Sequence, residues 1–151
     1  MIKRYGVEIS SWPMNDKLEK FVVDKDDQLA ILSKENASQF LNALSSQEFS
    51  VETYSLIEIQ GSELTPLFPD YGFISASNRV YLYAETVLAF SIIDGSATEI
   101  EMALLQYEEY LIAKTIVNGY FVYFIDKNYT DLLTKVASAY GINVHIFDLD
   151  K

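Results

Sequence analysis

The stretch YFVYFIDKNYTDLLTKVASAYGINVHIF, Tyr120 to Phe147, sets a strand, a helix and a second strand in a row. In an extended chain Tyr120, Val122 and Phe124 fall on one side and Phe121, Tyr123 and Ile125 on the other. Both faces are then apolar, as in a strand buried in the middle of a sheet. From about Tyr129 the apolar spacing changes to that of a helix ending near Tyr140, with Gly141 behind it, and Ile142 to Phe147 reads as extended again. The simplest fold for strand, helix and strand in so few residues is a right-handed βαβ crossover joining a parallel pair.

Working back from there, Arg4 to Ile9 reads as a strand, and Lys20 to Val23 and Leu29 to Ser33 flank the polar turn DKDDQ. ENASQFLNAL spaces Ala37, Phe40, Leu41 and Leu44 as one stripe of a short helix. VETYSLIEI, Val51 to Ile59, is a strand, followed by the loop QGSELTPLFPD. Tyr71 to Ser75, Arg79 to Tyr83 and Val87 to Ile93 form a β-meander. After DGSATE a helix begins, because Ser96 with Glu99, or Thr98 with Glu101, has the spacing of a capping box, and Gly119 is placed to close it. No linker-like composition and no internal repeat divides the chain. The expected fold is therefore α+β: one domain over residues 1–151, an antiparallel β-meander with two or three helices and a C-terminal βαβ unit.

The chain has 151 residues, half of them hydrophobic, with few Gly or Pro and no Cys. That size suits one core, and the lack of Cys excludes disulfides and thiolate chemistry. Lys3 and Arg4 are followed by Glu8 and Pro13 before any apolar run, unlike a signal peptide, and no apolar run is long enough for a membrane helix. The expected location is the cytoplasm. The net charge of −11 is unevenly spread: residues 1–35 carry −1, residues 36–113 carry −10 with Arg79 as their single base, and residues 114–151 are neutral. Such a field repels phosphate backbones and anionic lipid, and attracts a basic partner. Nucleic acid and membrane are therefore not expected as partners.

Motifs for cofactors and metals are missing. No phosphate-binding glycine loop, dinucleotide fingerprint or paired-histidine zinc motif occurs, and Asp24, Asp26 and Asp27 start a calcium-like loop whose sixth position is Leu29 instead of Gly. His145 has no second imidazole to share a metal and no nucleophile elbow to serve. No catalytic residue, cofactor or metal is expected. The aromatic run near Tyr120 has the composition of a base-stacking platform, but the negative field opposes it and burial in a sheet explains it more simply.

One helix carries the functional expectation. Turned at 100° per residue, the segment from Glu99 places Ile100, Ala103, Leu104, Tyr107, Tyr110 and Leu111 on one core-facing third. Met102, Leu105, Ile112 and Ile116 form a second apolar stripe, interleaved with Glu101, Glu108 and Glu109. Such a face is either covered by another layer or is a docking surface, where apolar area gives affinity and charge speeds association. The loop GSELTPLFPDYGF adds Phe68 and Asp70 as candidates, since two prolines stiffen it; alternatively it packs onto its own core.

The acidic block and the face of Glu101, Leu105, Glu108 and Ile112 resemble the small acidic immunity proteins with which bacteria neutralise toxins. The resemblance is one of functional class, across unrelated folds. It implies a non-enzymatic protein that occludes a basic partner, such as a nuclease-type toxin. Secretion chaperones for effector proteins are similar in size and acidity and act as dimers, and an enzyme using Asp, Glu and Tyr for acid/base chemistry is the other alternative. Monomer and homodimer are both consistent with the sequence.

Overall fold

The computed structural model describes residues 1–9, 16–45 and 51–150; Pro13 lies outside them. The described residues contain eleven strands, three helices of nine or more residues, one four-residue helix and four single 3-10 turns. The strands form two antiparallel sheets.

The first sheet contains β1 (Ile2–Ile9), β2 (Val22–Asp26), β3 (Leu29–Ser33), β4 (Val51–Ile59), β6 (Gly72–Ile74) and β7 (Val80–Tyr83), in the order β2-β3-β1-β4-β7-β6. Along β1, residues alternate between two buried environments. Val7 and Ile9 join Ala30, Leu32, Phe40 and Leu44 under α2 (Ala37–Ser45) and the short α1 (Asp16–Glu19). Further along the same face, Ile57, Ile59 and Leu82 meet the second sheet. On the opposite face Ile31, Leu56 and Tyr81 are buried with no helix over them.

They are buried because the sheet rolls up. Its first strand meets the far end of its order: Asp24 on β2 accepts hydrogen bonds from Ser75 (2.6 Å), Ser77 (2.7 Å) and Tyr81 (2.8 Å), and the Arg79 guanidinium donates to the Val23 carbonyl at 3.3 Å. Side chains thus join the two edges, which satisfies polar groups that an open edge would leave exposed. Inside the roll, a side chain on Gly6 would press against Leu56 and Leu29 at 3.0 and 3.2 Å. Glu58, also buried, is paired with Arg4 at 3.0 Å.

The second sheet holds β5 (Glu63–Leu64), β8 (Val87–Asp94), β9 (Ala113–Val117), β10 (Tyr120–Asp126) and β11 (Asn143–Phe147), in the order β11-β8-β10-β9-β5. Helix α3 (Ala97–Tyr107) joins β8 to β9, and α4 (Thr130–Tyr140) joins β10 to β11. This β8-α3-β9-β10-α4-β11 unit has the split-βαβ, ferredoxin-like connection. One face of the sheet packs on the first sheet through Val87, Ala89, Val122 and Phe124. The other receives both helices through Phe90, Tyr107, Tyr123, Ile125, Leu133 and Ala137.

The expected α+β domain of antiparallel strands is present, and several details differ. Of the expected meander, β6 and β7 pair, but β8 leaves for the second sheet. Asp24 to Asp26, expected in the DKDDQ turn, extend β2 instead, because they pair with Ile31, Ala30 and Leu29. The strands β10 and β11 run in the same direction, yet they do not pair, because β8 lies between them and is antiparallel to both. The helix from Ala97 ends at Tyr107, followed by a single turn over Glu108–Tyr110, instead of running on to Gly119. Gly119 instead forms the β9–β10 hairpin with Asn118, both at positive φ (82° and 51°). Asn-Gly is the pair that two-residue hairpins favour, since their turn needs left-handed backbone at both central positions.

Candidate functional site

Five strands make the second sheet wider than two helices cover. Helix α3 crosses the sheet from β8 to β9, and the strip formed by β9 and the added edge strand β5 lies beside it. The result is a groove of about 740 Å³. Its near bank is α3, with Ile100, Glu101, Leu104, Leu105 and Glu108; Tyr123 and Lys114 line its floor, and Glu63, Leu64 and Thr65 its far bank.

Local sequence chemistry fixes each part. Ser96 accepts from the Glu99 amide at 3.2 Å, and the Glu99 carboxylate accepts from the Ser96 amide at 2.9 Å, so of the two possible capping boxes the first sets the start of α3. These bonds to Ser96 hold the Glu99 carboxyl below the usual carboxylate range. Within the helix, Ala103 and Tyr107 are fully buried, and the Tyr107 phenol donates to the Leu133 carbonyl at 2.8 Å, tying α3 to α4. Burial pushes that phenol up to about 12. The far bank is held by Thr65, whose amide donates to the Ile112 carbonyl (3.1 Å) and whose hydroxyl donates to the Leu111 carbonyl (2.6 Å). The register pairs Glu63 with Lys114 and Lys114 with Tyr123, which sets these three side chains on the helix-bearing face.

The groove is apolar within and acidic at its rim. Leu105 is 60% exposed, Ile116 56% and Phe121 47%, a concentration of open apolar surface unlike scattered single residues. Ile116 and Phe121 are register partners on the same face as Lys114 and Tyr123, so they continue the floor toward the Asn118–Gly119 turn. Lys114 is the one base lining the groove; its ammonium lies 4.3 Å from the Phe121 ring centre and 3.9 Å from the Glu63 carboxylate. Glu101 and Glu108 are exposed and form no ion pair among the described residues.

Of the residues picked out from sequence, Glu101, Leu105 and Glu108 line this groove. Glu109 is exposed on the following turn and is not part of its lining. Two of the apolar candidates are not on the helix. Ile116 is exposed, but on β9. Ile112 is fully buried, its amide donating to the Phe124 carbonyl at 2.8 Å and its carbonyl accepting from Thr65. The helical wheel failed for both because the chain had already left the helix. Phe68 is also withdrawn: it packs in the core between the sheets with Ile57, Leu82 and Phe124, so the proline-stiffened loop covers its own protein. Asp70 is exposed on the Phe68–Asp70 turn, away from the groove's lining.

Sequence reasoning missed Glu63, Leu64, Lys114 and Tyr123 as members of the site. Only Glu63 and Leu64 had a local signal, a two-residue extended step inside a loop, and that is too short to show a period. Elsewhere, His145 is exposed on the edge strand β11, with its ring edge-on to Phe147 at 4.8 Å. Among the described residues no cluster of His, Asp and Glu is arranged to hold a metal ion, and no helix is long and apolar enough to cross a membrane. No protein-family model matches the chain, and no curated protein or solved structure is detectably similar to it.

Proposed function

We propose that this chain is an acidic binding protein that docks a basic protein partner in the groove between α3 and β9 and blocks it, in the manner of a bacterial immunity protein neutralising a nuclease-type toxin. The observation that carries this reading is the open apolar groove of Leu104, Leu105 and Tyr123 flanked by the unpaired carboxylates of Glu101 and Glu108. Burying Leu105 and its neighbours supplies affinity at about 25 cal/mol per Å² of apolar surface, before the costs of association are subtracted. The acids steer a cationic surface into place and penalise an anionic one.

The test is co-expression with a toxic basic domain encoded beside the gene. The chain restores growth and co-purifies with that domain at one to one, and Leu105→Asp abolishes both effects. A wild-type chain that neither rescues growth nor forms the complex would count against the proposal.

A further inference from the structure

We infer that the partner enters the groove as a single α-helix with an apolar stripe flanked by Lys or Arg; this rests on the proposed docking role. The argument is one of width. Strands lie about 4.8 Å apart, so where Glu63 and Leu64 of β5 pair with Lys114 and Ala113 of β9 the strip is roughly 10 Å across, the diameter of one helix with its side chains. The sheet face already carries two helices, packed on Phe90, Tyr123 and Ile125, and a third laid beside α3 completes the layer. Its near wall, α3, has eleven residues, about 16 Å, which matches three turns of a partner helix.

The surface also has the chemistry such a helix needs. Leu105 on the wall, and Ile116 and Phe121 on the same sheet face just beyond the groove floor of Lys114 and Tyr123, 47 to 60% exposed, offer apolar contacts to an i, i+3, i+7 stripe. Glu101 and Glu108, two turns apart on one bank, are unpaired and meet bases on that side of the stripe, while Glu63 on the other bank already faces Lys114 at 3.9 Å and has its remaining oxygen to share with a partner's base. An extended strand fits less well, because its side chains alternate and would turn half of them away from the floor.

Two synthetic peptides of about fourteen residues, identical in Leu and Lys content, test this directly. One arranges leucine at helical spacing, the other in strict alternation. Calorimetry with the full chain is expected to show the helical-period peptide binding at least tenfold more tightly, with amide shifts at Leu105, Ile116 and Phe121. Leu105→Asp abolishes that binding, although the added negative charge would strengthen a purely electrostatic association. Equal or tighter binding of the alternating peptide at the same residues overturns the helical occupant and leaves the docking role standing. Absence of binding by either peptide, or binding indifferent to Leu105→Asp, overturns both.

Discussion

The Tyr81 phenol on β7 donates to the Asp24 carboxylate on β2 across 2.8 Å, and with that bond a six-stranded sheet holds its own first strand. The Tyr81 side chain is fully buried and its ring stacks on Phe73 at 5.2 Å, so the hydroxyl has little freedom to find water instead.

Replacing Asp24 by Ala should therefore leave the buried Tyr81 hydroxyl, which then keeps only the Arg79 guanidinium as partner, without an acceptor for its proton, and lower stability by about 1–3 kcal/mol in urea melts. The effect is also pH-dependent. Burial raises the Asp24 carboxyl, but the bonds from Ser75, Ser77, Tyr81 and the Lys25 amide outweigh it, and its folded pKa lies below the ordinary 3.8. The stabilisation is therefore present above pH 3.8 and is lost as pH falls through the lower folded value. Wild type and Asp24→Asn should converge in stability on that acid side; a gap that widens there would contradict the latch.

The β9–β10 hairpin makes a second prediction. Nothing lies within 4 Å of a side chain added at Gly119, so Gly119→Ala tests its left-handed backbone alone (φ 82°). A loss of about 1–2 kcal/mol is expected, measured by thermal unfolding. Since the turn is flanked by Ile116 and Phe121, peptide affinity should fall with it even though no groove atom is removed.

Two leucine-like residues that sequence alone placed on one stripe should behave oppositely. Leu105→Ser, at a mostly exposed position, should stay within about 0.5 kcal/mol of wild type while losing partner binding. Ile112→Ala, at a fully buried one, should cost about 2–5 kcal/mol. Chemical denaturation and calorimetry on the two variants separate stability from recognition.

Charge at the rim predicts kinetics. Raising salt toward 1 M shortens the screening length to about 3 Å, so association with a basic partner should slow markedly while dissociation changes little. Glu101→Gln combined with Glu108→Gln should reproduce the slow association at low salt. Stopped-flow fluorescence reads both rates, and a double variant that associates as fast as wild type would remove the acids from the docking step.

Elements with long, unambiguous periods were legible from the residues. VETYSLIEI is the nine-residue strand β4, and the Ser96–Glu99 box opens α3. Most misreadings arose where local patterns compete. Leu111 to Val117 continues a helical wheel well enough to hide a strand, and the Asn118–Gly119 pair, which favours a hairpin, was outweighed by the helix-closing role of glycine. The groove was half legible: Glu101, Leu105 and Glu108 announced themselves by spacing, whereas their opposite bank comes from β5, about forty residues earlier. Nothing local to Glu63 and Leu64 tells that they join β9. The rolled sheet was invisible for the same reason, since Asp24 and Ser75 meet only after four intervening strands have paired.

The two-residue strand β5 has a consequence for how such a protein diversifies. The split-βαβ unit is complete without it, and its segment, residues 60–67, leaves the first sheet after β4 and returns to the core at Phe68. Insertions, deletions or charge changes there would reshape one bank of the groove without disturbing a helix or either sheet's central pairing. The far bank is thus the part of the groove that can change shape with the least effect on the fold around it.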